Sequence, residues 1–356
     1  AFSIPILCPK LADNLESLEK TPATISYLLS NLAEILCTCP IHDFGPPPTI
    51  PKNNFFVFIV FTVSYIITKR NVMSVKLGIA PIAWSNDDMP ELGGDTPLEQ
   101  CLSEAREAGF LGIESGGKFP KKSEELIPLL EKYSLQLCSG WYGANLRKNS
   151  VEEEIELIQE QLKLFQDCKA PCIVFAEVSD STAGNPDRPL STRPQMDNEE
   201  WSVFCKKISE IGKYLEDQGM PLAYHHHMGT VIETQKDTER LLESTSEHVK
   251  LILDTGHMLF ASGNSIETYN NFKDRIIHIH CKDMRKDILD KSLEKDLSFR
   301  QAFLEGAFTV PGDGYIDYKP FFELLTKNDY SGWLVVEAEQ DPIRANPLEY
   351  AKIGFN

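Results

Sequence analysis

After residue 72 the chain repeats one pattern. A short run dense in apolar residues is followed by a longer stretch in which apolar residues recur every three or four positions. The runs fall at 77–84 (LGIAPIAW), 111–116, 135–142, 172–178 (CIVFAEV), 221–229 (PLAYHHHMG), 249–257 (VKLILDTGH), 276–283 (IIHIHCKD) and 332–341 (GWLVVEAEQD). Their length and apolar density predict strands buried on both faces, as in a parallel sheet. The spacing between them predicts helices over 97–109, 123–133, 150–168 and 198–218, with further helical stretches after the later strands. The clearest is 150–168, where Val151, Ile155, Ile158, Leu162 and Phe165 step by four and three into one stripe. Ser123 reads as the N-cap of its helix, with Glu124 and Glu125 facing the positive end of the helix dipole.

Eight strands in β-then-α alternation imply a parallel sheet covered by helices, and eight is the number that closes a (β/α)8 barrel. An open doubly wound sheet usually carries a Gly-rich phosphate loop after its first strand. Pro81-Ile82-Ala83-Trp84 stands there instead. The last helical stretch begins at Pro347 and reads as a shortened C-terminus.

Residues 1–72 do not share the pattern. Gly45-Pro46-Pro47-Pro48 has the composition of an extended linker. Residues 55–68 (FFVFIVFTVSYIIT) form an apolar run closed by Lys69-Arg70. A bilayer core needs about 20 residues of helix, more than this run supplies, and a signal peptide's apolar region sits nearer the N-terminus. Four readings compete: a short membrane anchor, an uncleaved targeting piece, a tethered appendage, or a stretch outside the translated enzyme. Met73-Ser74 stands directly before the first patterned strand. The expectation is therefore a start at Met73 and a catalytic domain over 73–356, with 1–72 as an extension that is disordered or not part of the enzyme.

Charge narrows the partners. The formal net charge is −18, and since the charges of 1–72 balance, all of it falls on 73–356. That argues against a nucleic-acid backbone and against an anionic membrane, both of which are bound through Lys and Arg. The nine Cys form no CxxC pair. Their irregular spacing predicts free thiols in a reducing, cytoplasmic setting.

In a (β/α)8 barrel the chemistry lies at the C-terminal ends of the strands. There the runs end in Glu114, in Glu177, in His225-His226-His227, in Asp254 and His257, in His278, His280, Lys282 and Asp283, and in Glu337, Glu339 and Asp341. Every His except His42 lies between 225 and 280. Alternation along a strand puts His278, His280 and Lys282 on one face, with Ile279 and Cys281 turned to the helices. By the same parity His225 and His227 oppose Tyr224 and His226. Carboxylates and imidazoles converging from several strands are costly to bury unpaired, and a divalent cation resolves that cost. Mixed nitrogen and oxygen donors suit Mn²⁺, Co²⁺, Zn²⁺ or Fe²⁺. His248, on a polar helix end, reads as surface.

The strings LDTGHM (253–258), HIHCKD (278–283) and VVEAEQD (335–341) resemble the xylose-isomerase-like TIM barrels. Within them, GIAPIAWSNDDMPELGG (78–94), GIESGGKFP (112–120), YHHHMGT (224–230) and VPGDGYIDY (310–318) look like the inosose dehydratase family. The resemblance covers 75–355, and 1–72 have no counterpart in it. It implies a metal held by Asp254, His280 and Glu337. The first ligand stays open: relatives carry Glu at the end of strand five, where this chain has His225. Either His225 takes that place or Glu177 reaches across. Glu177 is preferred, because a third carboxylate keeps the charge usual in the superfamily.

The resemblance implies a hydro-lyase of myo-inositol catabolism. It would convert scyllo-inosose (2-keto-myo-inositol) to 3,5/4-trihydroxycyclohexane-1,2-dione and water, with Mn²⁺ or Co²⁺. Glutathione is implied by the family alone, and no residue here marks a site for it. His227 and His257 read as acid–base partners, with Lys282 either orienting the substrate oxygen or helping to protonate the leaving group. Trp84, Trp141 and Tyr142 would cover the ring. Asn86, Asp87, Glu114, His278 and Glu339 would meet its hydroxyls. A sugar or cyclitol isomerase or epimerase is the alternative, and a homo-oligomer is expected by analogy only.

Overall fold

The computed structural model describes residues 75–87 and 89–356. The expectations for 1–72, the apolar run 55–68 among them, lie outside the described residues.

β1 (Lys76–Ile79) passes through a single 3-10 turn (Pro81–Ala83) to α1 (Leu98–Ala108). Then follow β2 (Gly112–Ser115), α2 (Ser123–Lys132), β3 (Gln136–Ala144), α3 (Val151–Cys168), β4 (Ile173–Glu177), α4 (Asn198–Asp217), β5 (Leu222–His225) and α5 (Gln235–Ser244). β6 (Val249–Asp254) runs straight into α6 (Thr255–Phe260), and α7 (Ser265–Phe272) follows before β7 (Ile276–Cys281). Next come β8 (Asp283–Met284), α8 (Lys286–Glu294), α9 (Phe299–Glu305) and β9 (Phe308–Thr309). The chain closes with α10 (Tyr318–Lys327), β10 (Trp333–Val336) and α11 (Pro347–Phe355).

β1 to β7 and β10 form a closed parallel barrel in sequence order, β10 pairing with β7 on one side and β1 on the other. This is the (β/α)8 architecture expected. β8 and β9 pair antiparallel outside it and bracket α8 and α9. Asp283 pins that excursion, its Oδ1 accepting the backbone N–H of Met284, Tyr315 and Ile316 at 2.7, 2.9 and 2.9 Å.

The helices form where their apolar stripes face the strands. On α3 the stripe buries Ile158, Leu162 and Phe165, while Val151 and Ile155 are partly buried against the same core. A fully buried side chain of this size contributes about 1.5–3 kcal/mol. Ser150 caps α3: its hydroxyl accepts from the Glu153 N–H and the Glu153 carboxylate accepts from the Ser150 N–H. The lumen below the site is filled by Cys138, Trp333 and Val335 on one side and Cys172, Val174 and Ile252 on the other. Gly112 makes that packing fit, since a Cβ there would lie 2.5 Å from the Trp333 ring.

Several predicted ends move. The first strand stops at Ile79, because Pro81 has no N–H for a ladder and turns the chain. The sixth stops at Asp254, whose side chain accepts the His257 N–H and starts α6. The eighth stops at Val336, leaving Glu337 and Glu339 on the segment beyond it. Ser123 is not the N-cap of α2: Lys122 takes that position, and the Ser123 hydroxyl donates to Asp167 instead. All six cysteines among the described residues are free thiols. No helix among the described residues is long and apolar enough to cross a membrane.

Candidate active site

Four side chains converge at the C-terminal mouth of the barrel: His225 from the end of β5, Asp254 from the end of β6, His280 from β7 and Glu337 just past β10. One donor atom of each lies within 4.8 Å of the others. Asp254 Oδ2 is 3.5 Å from His225 Nε2 and 3.5 Å from His280 Nδ1, and His280 Nδ1 also touches Glu337 Oε2. Yet Asp254 Oδ2, His280 Nδ1 and Glu337 Oε2 are buried without a hydrogen-bond partner. Buried polar atoms are normally satisfied. Three that face one another and are not have the arrangement of ligands around a cation, and two carboxylates with two imidazoles are a donor set for a divalent first-row metal.

The residues behind this cluster hold it in place. Glu114, at the end of β2, uses Oε1 to accept from His280 Nε2 at 3.0 Å, from His278 Nε2 at 3.2 Å and from the Ser139 hydroxyl. Burial alone would raise the Glu114 carboxyl, but His280 and His278 hold it well below the usual carboxylate range. Burial would lower His280, and Glu114 and Glu337 outweigh it, keeping that imidazole well above its ordinary value. The Nε2 proton is donated to Glu114, and the Nδ1 proton of this imidazolium, which faces Asp254 and Glu337, is the one a bound cation would displace.

Lys282, just past the end of β7, is fully buried. Its Nζ donates to Glu339 Oε1 at 2.7 Å, lies 3.0 Å from Glu337 Oε1 and from His257 Nε2, and 3.6 Å from Asp254 Oδ2. Burial opposes its charge, but Asp254, Glu337 and Glu339 raise its pKa above the ordinary lysine value, so it is an ammonium.

The cavity above the cluster is lined by Asp87, Glu114, Trp141, His225, His227, His280, Glu337 and Glu339 together with Ala80, Pro81, Ile82 and Val174. His227 Nδ1 is 2.8 Å from the Met228 carbonyl. A carbonyl only accepts, so the proton sits on Nδ1 and Nε2 is the basic atom. Burial, against the pull of Glu339, lowers His227 to about 4, so the ring is neutral near neutral pH. The half-exposed Trp141 ring stands edge-on to His225 and His227, with centroids 5.5 and 5.6 Å away. Asp87 accepts from the Gly117 N–H at 2.7 Å.

Several of the expected site residues lie away from the cluster or the cavity. Glu177 is not among the cluster: its carboxylate accepts the backbone N–H of Ser179 at 2.8 Å and of Arg147 at 3.2 Å, tying down the loops after β4 and β3. The alternative, His225, stands in the cluster. Trp84 is fully buried and its indole N–H donates to Glu104 at 2.6 Å, so it packs against α1 and not over a ligand. The Tyr142 hydroxyl donates to Glu154 at 2.7 Å on the helix side of β3. Asn86 is buried and accepts the Met89 N–H at 2.9 Å, shaping its own loop. His278 bonds Glu114 and His257 packs against His227, at a centroid distance of 4.1 Å; neither lines the cavity, and nor does Lys282. Ser139 was not foreseen. Its only signal is a hydroxyl inside an otherwise apolar inward face of β3.

Comparison with known proteins agrees with the fold. Residues 102–355 match the xylose isomerase-like TIM barrel family. The chain is 47% identical over 286 residues to the rhizopine catabolism protein MocC of Rhizobium meliloti, covering 80% of this chain and 88% of that one. It is 43% identical over 283 residues to the inosose dehydratase of Clostridium tetani, covering 79% and 95%. Among solved structures, the probable 3-DHS dehydratase AsbF of Bacillus anthracis superposes with a TM-score of 0.59 at 16% identity over 79% of this chain and 97% of that one, a likeness of fold alone. The chain belongs to the xylose isomerase-like TIM barrel family and, within it, to the inosose dehydratase group. It is an enzyme of the hydro-lyase class.

Proposed function

We propose that this enzyme removes water from a keto-inositol, scyllo-inosose, to give 3,5/4-trihydroxycyclohexane-1,2-dione in the cytoplasmic breakdown of myo-inositol. The catalytic unit would be residues 73–356. The observation that carries the reading is the trio of orphaned atoms Asp254 Oδ2, His280 Nδ1 and Glu337 Oε2, two of whose residues, His280 and Glu337, line a cavity that also holds a neutral imidazole. His225, Asp254, His280 and Glu337 would hold Mn²⁺ or Co²⁺. When bound, the ion supplies Lewis acidity toward the substrate carbonyl.

The remaining work falls to the chain's own groups. His227 Nε2, with its ring oriented by the Met228 carbonyl, accepts the proton α to the ketone. An imidazole held near 4 is a weak base, so it acts only on a C–H already acidified by a polarised carbonyl. The pair of electrons from that C–H moves into the ring, the β carbon–oxygen bond breaks, and the leaving hydroxide takes a proton. The imidazolium just formed on His227 is the group at the cavity wall with that proton to give. Glu339, ion-paired with Lys282, accepts hydrogen bonds from ring hydroxyls, as does Asp87 at the rim. Trp141 covers one face of the ring.

Metal-stripped enzyme given scyllo-inosose should be silent, and Mn²⁺ or Co²⁺ should restore dione formation, followed by ultraviolet absorbance and proton NMR. Deuterium from solvent entering the substrate with no loss of water would move the assignment to an isomerase or epimerase.

A further inference from the structure

We propose that the Lys282 ammonium is a built-in cation that fills a second metal position and holds this enzyme to one divalent ion per chain. The proposal rests on the metal reading above and concerns the space next to it.

Two donor sets meet at Asp254 and Glu337. The first is His225, Asp254, His280 and Glu337. The second surrounds Lys282 Nζ: Glu339 Oε1 at 2.7 Å, Glu337 Oε1 at 3.0 Å, His257 Nε2 at 3.0 Å and Asp254 Oδ2 at 3.6 Å. Three carboxylate oxygens and an imidazole nitrogen are ligands that a transition-metal ion accepts as readily as an ammonium does. Glu337 turns Oε2 to the first set and Oε1 to the second, and Asp254 Oδ2 faces both. Carboxylates shared in this way are what join the two ions of a two-metal site. His227, His257 and Glu339 likewise bring donor atoms within 4.8 Å of one another.

The ammonium is placed there by the fold. Its stem runs against the start of α6, where a Cβ on Gly256 would come within 2.5 Å of the Lys282 side chain. Phe308 covers the charged end, with Nζ 4.8 Å from its ring centroid. Charge balance supports the same count. Asp254, Glu337 and Glu339 carry three negative charges, which one divalent ion and one ammonium neutralise. A second divalent ion crowded in beside Nζ would be repelled both by the first ion and by the ammonium itself. Glu339 and His227 therefore stay off the metal and face the substrate cavity.

Titration of the metal-stripped full chain with Mn²⁺, counted by elemental analysis after desalting and followed by electron paramagnetic resonance, tests this. The wild type should take up one ion. Lys282→Ala and Lys282→Met should each take up two, with the spectrum of an exchange-coupled Mn²⁺ pair. The Met variant keeps the apolar stem and its volume, so the fold survives if the Ala variant does not. Adding Glu339→Gln to Lys282→Met should return the count to one. Two ions in the wild type, or one ion in a folded Lys282→Met, overturns the proposal and leaves the first metal site standing. No ion bound by the wild type overturns the metal reading itself.

Discussion

Glu114 Oε1 and His280 Nε2 lie 3.0 Å apart, although β2 and β7 are separated around the barrel wall by β1 and β10. The bond crosses the lumen. A carboxylate on one side thereby sets which nitrogen of an imidazole on the other is left to face Asp254 and Glu337.

That contact gives the first prediction. Glu114→Gln keeps the shape but no longer holds the His280 tautomer, and losing such an orienting partner typically weakens metal binding about 10–100-fold. Isothermal titration with Mn²⁺ checks it. Unchanged affinity would mean that His280 is oriented by other contacts.

The choice between the two candidate first ligands is open to a direct contrast. His225→Ala should lower metal affinity sharply. Glu177→Gln should leave affinity unchanged, because the Glu177 carboxylate is engaged by the Ser179 and Arg147 backbone N–H groups. The reverse order of effects would return Glu177 to the site.

His227→Gln should cost about 10²–10⁴-fold in kcat, the range for loss of a general base. Metal affinity should hold, since His227 lies outside the His225–Asp254–His280–Glu337 set. A variant with weak metal binding and normal kcat at saturating metal would assign His227 to the metal instead.

Stability should carry a pH dependence that has nothing to do with the metal. Burial raises Glu233 to about 7, against the Gly229 N–H and Arg193, both of which favour the charged form. The folded value lies above the unfolded one. Its contribution is therefore complete below the unfolded value near 4.5 and is lost as pH rises through about 7. Glu233→Gln should flatten the decline between pH 5 and pH 8, a change on the order of 2 kcal/mol. Denaturant unfolding at the two pH values measures it, and an equal decline in both proteins would show that Glu233 is already ionised at pH 5.

Much of this was legible in the chain. The alternation of apolar runs with stripes such as Ile158, Leu162 and Phe165 follows from side-chain direction in strands and helices, so it specifies eight βα units and their order without any coordinates. Parity along β7 also placed His280 and His278 on the inward face. Parity does not say how deep along the barrel axis a side chain sits. His278 points inward, yet bonds Glu114 and does not line the cavity. Trp84 and Tyr142 likewise stand near strand ends, but their N–H and O–H find Glu104 and Glu154 in the helix layer.

The sequence by itself determined the element order, the barrel and the strand ends at which acids and imidazoles gather, because each depends on local periodicity. Only the tertiary structure decided which of those groups share one point in space. His225 rather than Glu177 completes the cluster, and Lys282 stands among Glu337, Glu339, His257 and Asp254, because barrel closure sets distances between strands that are far apart in the chain.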